Sequence, residues 1–306
     1  MVNLSIRAIC LLKGLNSMIQ DDEDFASYKV VVVGLGLMGG SLAQGLKLKG
    51  QFIIAVDPDP DTRMYAVQNQ VVDRISADPE SLIPEADVIV LSAPIDAILD
   101  IIPSLPELHP GSPILLDLGS TKVNICQALK SLPARFQSVG GHPICGKEVG
   151  GISNATPSLF YGSAFAFTPF ESTTDLARRY AEWLAKNLGA YPLWFSPEVH
   201  DRWLSVTSHL PYLLSSALTL LTPLEAASLV GPGFLSVSRL AGSRPAVMFP
   251  ILETNRQYVL EAISDFRELL DEIETELRSD QRSTLPEILN QARNRRASLI
   301  KHRDRC

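Results

Sequence analysis

The chain has 306 residues, 46% hydrophobic and 20% charged, enough for two domains with real hydrophobic cores. A formal net charge of -7 argues against a nucleic-acid binder, which carries a basic face. Cys10, Cys126, Cys145 and Cys306 lie far apart, fitting neither a disulfide framework nor a zinc site, and point to a reducing cytosol with no metal expected.

Residues 1–18 are mildly apolar but broken by Arg7 and Lys13, and no small-residue cleavage site follows, which argues against a signal peptide. The acidic run Asp21-Asp22-Glu23-Asp24 precedes the first strand, so residues 1–27 are expected as a flexible extension, with Met18 an alternative start. No stretch approaches the ~20 uninterrupted apolar residues of a membrane span, so no membrane association is expected.

Residues 29–34 (Lys-Val-Val-Val-Val-Gly) are a continuous β-branched run, the pattern of a strand buried on both faces of a parallel sheet. A helix is expected over 37–49 and a second strand over 52–57. Further strands are expected over 87–92 and 113–117, with helical segments near 94–102 and 121–131. A strand over 136–140 delivers His142 onto a loop, and 163–168, a helix at 174–187, and 191–195 extend the layer. Strands alternating with helices predict a doubly wound parallel sheet of Rossmann type over residues 28–196.

After Pro197 the β-rich runs disappear, and an all-helical domain is expected over 197–306. Residues 203–221 are apolar on nearly all sides, which predicts a buried helix bent at Pro211. Over 255–277, Val259, Ile263, Phe266, Leu270, Ile273 and Leu277 recur three or four residues apart, opposite Glu261, Asp265, Glu268, Asp271 and Glu272. Such a stripe suits packing against a second helical layer, expected from another subunit. A last helix over 285–301 carries Arg293, Arg295 and Arg296 on a solvated face.

Between the first strand and helix stands Gly34-Leu35-Gly36-Leu37-Met38-Gly39, in the context that gives this spacing its meaning. The first glycine permits a tight turn, the second lets the backbone approach a pyrophosphate, and the third lets helix pack on strand. Asp57 follows at the end of the second strand, where an acid can bond adenosine ribose hydroxyls. Together with Asp59 and Asp61 it would repel a 2′-phosphate, and Arg63 is the only basic group nearby, so NAD is expected over NADP. In open α/β sheets ligands bind beyond the carboxyl ends of strands. There lie Ser92-Ala93-Pro94 and Gly119-Ser120-Thr121-Lys122, which read either as pocket walls or as ordinary helix caps. His142, within Gly140-Gly141-His142-Pro143-Ile144-Cys145-Gly146, carries the side chain that titrates nearest neutrality, a plausible proton acceptor or a histidine bonded to its own turn.

With these motifs, Ser208-His209-Leu210-Pro211 and Arg239 after Gly233-Phe234, the chain resembles the prephenate/arogenate dehydrogenase family of tyrosine biosynthesis over residues 28 to 300. The resemblance implies NAD or NADP on the first domain, a homodimer through the helical domain, and an active site in the cleft between domains. It implies oxidation of the ring C4 hydroxyl of prephenate, or of arogenate, with loss of CO2. His142 would accept the hydroxyl proton, and Ser120 would orient imidazole and hydroxyl. Arg239 would clamp a substrate carboxylate, His209 would bind substrate from the helical side, and Glu148 would stand near the cleft mouth. Lys122 and Lys147 are further candidate cations for a dianionic substrate. By residue chemistry alone, His209 also reads as a core histidine, Arg239 as a structural ion pair and Glu148 as a solvated acid. His109 and His200 receive no chemical role, although His200-Asp201 faintly matches a family position near the cofactor. The chain departs from the family at Ser236, where an acid is common, and at Tyr212, where a histidine is common. Two other readings compete: a β-hydroxyacid or imino-acid oxidoreductase, which would favour a helix lysine, and a silent NAD-binding sensor, which would not need His142, Ser120 and Arg239.

Overall fold

Strand β1 is Val30–Val33, and all four valines are buried. Val30 and Val32 pack into one core and Val31 and Val33 into another, because successive strand residues point to opposite faces. A strand covered on both sides has no polar face, which is why the sequence shows no alternation. The structure, a computed structural model, describes residues 25–147, 149–279 and 284–303.

Helix α1 (Leu37–Lys47), β2 (Ile53–Val56), α2 (Pro60–Gln68) and β3 (Arg74–Ser76) follow. Then come β4 (Val88–Leu91), α3 (Ile95–Ile101), α4 (Leu105–Leu108), β5 (Ile114–Asp117), α5 (Val123–Lys130) and β6 (Gln137–Pro143). The sheet is completed by β7 (Ala164–Thr168), α6 (Asp175–Asn187) and β8 (Tyr191–Trp194), in the order β3-β2-β1-β4-β5-β6-β7-β8. The first six of these strands are parallel, the arrangement of a doubly wound nucleotide-binding sheet. β7 runs antiparallel to β6, and β8 parallel to β7. One face is covered by Leu42 and Leu46 of α1 with Tyr180 and Leu184 of α6. The other is covered by Ile95 and Ile98 of α3, Leu129 of α5 and Ile251 from the helical half.

Three expectations about this domain change. β3 is a short, part-exposed edge strand, Arg-Ile-Ser, with no apolar run to announce it. Residues 25–27 belong to the fold, not to a loose extension: Phe25 is buried edge-on against Tyr180. The rest of that expected extension lies outside the described residues. His142 sits inside β6, paired with Ala166 of β7, and not on a loop. Glycine is required beside it, since a Cβ on Gly141 would lie 2.7 Å from the Asp117 carbonyl oxygen.

The second half is helical: α7 (Pro197–Leu204), α8 (Leu210–Leu221), α9 (Pro232–Ser238), α10 (Pro245–Thr254), α11 (Arg256–Arg278) and α12 (Leu285–Arg303). α7 and α8 are joined without a break by a π turn, Ser205–His209, in which Leu210 N–H donates to the Ser205 carbonyl. Pro211, which has no N–H to give, falls at the start of α8, so the expected bend becomes a widened turn. Nor is this helix buried as expected, since Leu220 and Leu221 are 88% and 81% exposed. By length and composition alone Pro197–Leu221 is apolar enough to cross a membrane, although Glu198, Asp201, Arg202 and His209 interrupt its apolar run. His200, Asp201 and His209 on it are nonetheless buried in polar contacts with the sheet domain and α11, which a spanning helix would forgo. On α11 the stripe is inward-facing only at its first turns, where Val259 and Ala262 are buried; Leu270 and Leu277 stand open.

Candidate active site

The glycine turn is built by sterics. Gly34 has φ +94°, and a Cβ there would lie 2.6 Å from the Ser92 carbonyl oxygen. A Cβ on Gly39 would collide with the Gly34 carbonyl, so α1 packs on β1 only through glycine. A Cβ on Gly36 would meet nothing within 4 Å, leaving open space beside the backbone. Gly36 offers no side-chain cap, so the amides at Leu37 and Met38 keep their donors and the positive end of the helix dipole. Across the turn Ser92 Oγ is buried without a hydrogen-bond partner among the described residues, and Pro94 is the residue that precedes α3. An open cradle, uncapped amides and an orphaned hydroxyl fit a pyrophosphate-bearing dinucleotide.

Asp57 is 8% exposed at the end of β2 and already holds the turn together. Its Oδ2 accepts Leu35 N–H at 2.7 Å and its Oδ1 accepts Asp59 N–H at 2.9 Å. A carboxylate has about four acceptor positions, so capacity remains for ribose hydroxyls. Arg63 Nη1 donates to the carbonyl oxygens of Asp57 and Pro58, which places a guanidinium at the same corner.

The loops after β5 and β6 bring the chemistry together. Asp117 accepts N–H bonds from Gly119 at 2.9 Å and Gly141 at 3.2 Å, tying the two strand ends. Lys122 is wholly buried, ion-paired with Asp117 and donating to the Gly141 carbonyl at 2.7 Å. It is thus a structural cation and not the substrate contact expected from sequence, because its ammonium points into the strand ends. Ser120 is half-buried between β5 and α5, at the edge of the same cluster.

Half-buried His142 reaches the helical domain through its Nδ1, 2.9 Å from Nε2 of His200 on α7. His200 Nδ1 in turn lies 2.7 Å from Asp201 Oδ1. Asp201 accepts the N–H groups of Lys122 and Val123 at 2.7 and 2.8 Å, so it caps α5 across the domain boundary. Burial, followed by the nearby His200, Lys122 and His209, holds the His142 imidazole well below its ordinary range. Burial lowers His200 as well, against its bond to Asp201, and brings His209 to about 4. Burial thus favours the neutral form of all three imidazoles, the state a proton acceptor needs.

His209 is 1% exposed, and Asn255 Nδ2 bonds its Nδ1 at 3.0 Å and the Asp201 carbonyl at 2.8 Å. Sequence reasoning passed over Asn255, and gave His200 and Asp201 a family match near the cofactor but no chemical role. The only available sign was a His-Asp pair in a polar helical turn, which composition does not distinguish from surface. Arg239 is exposed at the end of α9, Ser236 is exposed on the same helix, and Tyr212 is half-buried on α8. Exposed Lys147 donates to the Asn154 carbonyl. Glu148 lies outside the described residues. His109 bonds the Ala86 carbonyl and Gly111 N–H at the opposite end of the sheet, a structural role.

A doubly wound sheet with this turn, and a neutral imidazole clamped by a following helical domain, defines a dinucleotide-dependent dehydrogenase. Two family models match it: the nucleotide-binding domain of prephenate dehydrogenase over residues 42–191, and its dimerization domain over residues 196–291. The chain is 30% identical over 283 residues to the prephenate dehydrogenase of Bacillus subtilis, spanning 88% of this chain and 76% of that one. It is also similar to the crystal structure of Synechocystis arogenate dehydrogenase, with a TM-score of 0.78 at 30% identity, covering 89% and 99% of the two chains. Prephenate dehydrogenase from Aquifex aeolicus, in complex with hydroxyphenyl propionate and NAD+, gives a TM-score of 0.84 at 26% identity, covering 90% and 100%. The chain belongs to the prephenate dehydrogenase family, which sets aside the β-hydroxyacid reading.

Proposed function

We propose that the chain oxidatively decarboxylates prephenate to 4-hydroxyphenylpyruvate with NAD. The reading is carried by one observation: His142 stands at the carboxyl end of β6, on the rim of the sheet that holds the glycine turn, with its Nδ1 held by His200. When bound, the cofactor supplies the hydride acceptor. His142 accepts the proton of the ring C4 hydroxyl as that carbon becomes a carbonyl, within ~3 Å of the oxygen. Ser120 hydrogen-bonds the same hydroxyl and holds it against the imidazole. Loss of CO2 makes the ring aromatic and drives the step forward, so the residues mainly position the ring. Arg239 clamps a substrate carboxylate with its planar fork, and His209 closes the pocket from the helical side. Asp57 disfavours a 2′-phosphate and so favours NAD over NADP.

The matched dimerization domain and the exposed leucines of the helical half, Leu220, Leu224 and Leu229 at 88%, 90% and 84%, support a homodimer through that domain. The cysteine pattern supports a cytosolic enzyme. The arogenate reading is favoured by the 30% identity to the Synechocystis enzyme. It differs in presenting an ammonium where prephenate has a ketone.

The deciding experiment mixes the purified chain with NAD or NADP and either substrate, and follows absorbance of the reduced nicotinamide. Turnover of prephenate with NAD is expected. Turnover of arogenate alone would transfer the reading to that substrate, and turnover of neither would end it.

A further inference from the structure

Which ring nitrogen of His142 carries its proton follows from the far end of a hydrogen-bond chain. Both oxygens of Asp201 are turned to backbone donors, Lys122 N–H on Oδ1 and Val123 N–H on Oδ2. His200 Nδ1, 2.7 Å from Oδ1, must therefore donate as well. A neutral imidazole protonated at Nδ1 has its lone pair at Nε2, and that atom faces His142 Nδ1 at 2.9 Å. His142 then donates from Nδ1 and keeps its lone pair on Nε2. The opposite tautomer would set two lone pairs against each other, in a place where His200 is 1% exposed and Asp201 not at all.

We propose that His200 and Asp201 are positioning residues, which lock His142 in the tautomer whose Nε2 takes the substrate proton. The proposal rests on the reading of His142 as the base. The hydroxyl proton arrives at Nε2 while Nδ1 keeps its own proton against His200, so His142 becomes a cation. The negative charge of Asp201 lies one ring away and compensates it from inside the protein. Asp201 is in turn held by the first amides of α5, which makes the closing of the helical domain onto the sheet a condition for the correct tautomer. The charged and titratable groups around the pair are Lys122 before α5, Asp117 at the end of β5, His209 in the π turn, and Cys126 on α5.

Two measurements on the full chain test this, one of them independent of turnover. Nitrogen-15 resonances of His142 in the NAD-loaded enzyme should show a protonated Nδ1 and a bare Nε2. In H200L both tautomers should appear, and kcat should fall on the order of 10²-fold. The substrate KM should stay within about threefold, and the acid limb of the kcat pH profile should move. H200Q, whose amide oxygen can still accept from Nδ1, should restore the single tautomer and part of the lost kcat. A wild-type His142 carrying its proton on Nε2 would overturn the proposal, even if neither variant folds. So would an H200L enzyme with wild-type kcat and pH profile. Inactivity of the wild type on both substrates would end the functional reading instead, and would leave the tautomer open to the same spectra.

Discussion

Lys122 and Asp117 form an ion pair with no exposure at either side chain, beneath the point where β5 and β6 deliver Ser120 and His142. Such a pair is costly to desolvate and more costly to break, because the survivor is left charged in the interior. Its further bonds, to Gly119, Gly141 and the Gly141 carbonyl, show what it does: it fixes the two strand ends to each other. Lys122→Met should lower stability by about 3–5 kcal/mol, whereas D117N/K122M, which leaves no charge and keeps an acceptor for one of the two glycine amides, should recover part of it. Urea denaturation of both proteins decides this; a K122M midpoint equal to wild type would show that the pair is dispensable.

His142→Asn should lower kcat by about 10²- to 10⁴-fold, the usual contribution of general base catalysis. NAD affinity, read by fluorescence titration, should hardly change, because the cofactor turn lies at β1 and β2. Full turnover in this variant would remove His142 as the base.

Arg239→Gln should raise the substrate KM much more than it lowers kcat, as expected for a group that binds ground and transition state alike. Steady-state kinetics with prephenate test the clamp, and an unchanged KM rules it out.

Asp57→Ala should have two effects that a purely electrostatic role would not join. Preference should relax toward NADP, and stability should fall by roughly 1–3 kcal/mol, because the Leu35 and Asp59 amides lose their acceptor. Comparing kcat/KM for the two cofactors with the unfolding midpoint separates the two. Unaltered discrimination would hand cofactor choice to another acid, Asp59 being the nearest in sequence.

The buried histidines set the acid limit of stability. His209 is held at about 4 by burial, below the ordinary 6.5, so the unfolded chain binds its proton first. Its contribution is therefore fully present above about pH 6.5 and is lost as pH falls toward 4, roughly 3 kcal/mol in all. His142 and His200 are shifted in the same direction and add to the slope. Denaturation followed between pH 7.5 and 4.5, an interval chosen to bracket about 6.5, should show falling stability, and less so in H209Q. A flat profile would contradict the buried neutral state.

Much of this was legible in the chain because it is written locally. The valine run, the glycine spacing and Asp57 each obey a constraint between residues close in sequence, or a single strand–helix geometry. β3 was not legible, since three part-exposed edge residues carry no hydrophobic signal. The segment 203–221 is less buried than expected because its apolar composition is that of a core helix; exposed leucines in one copy of the chain have the same composition. Lys122 looked available because burial of an ammonium depends on a partner five residues away and a carbonyl from the next strand.

By itself the sequence determined the doubly wound sheet and the dinucleotide turn, since side-chain sterics and periodicity are properties of short stretches. Only the tertiary structure decided how His142 is held. Its partners are 58 residues away on a helix that shows no sign of belonging to the sheet domain. Folding brings them within hydrogen-bond distance, a relation that no constraint between residues close in sequence records.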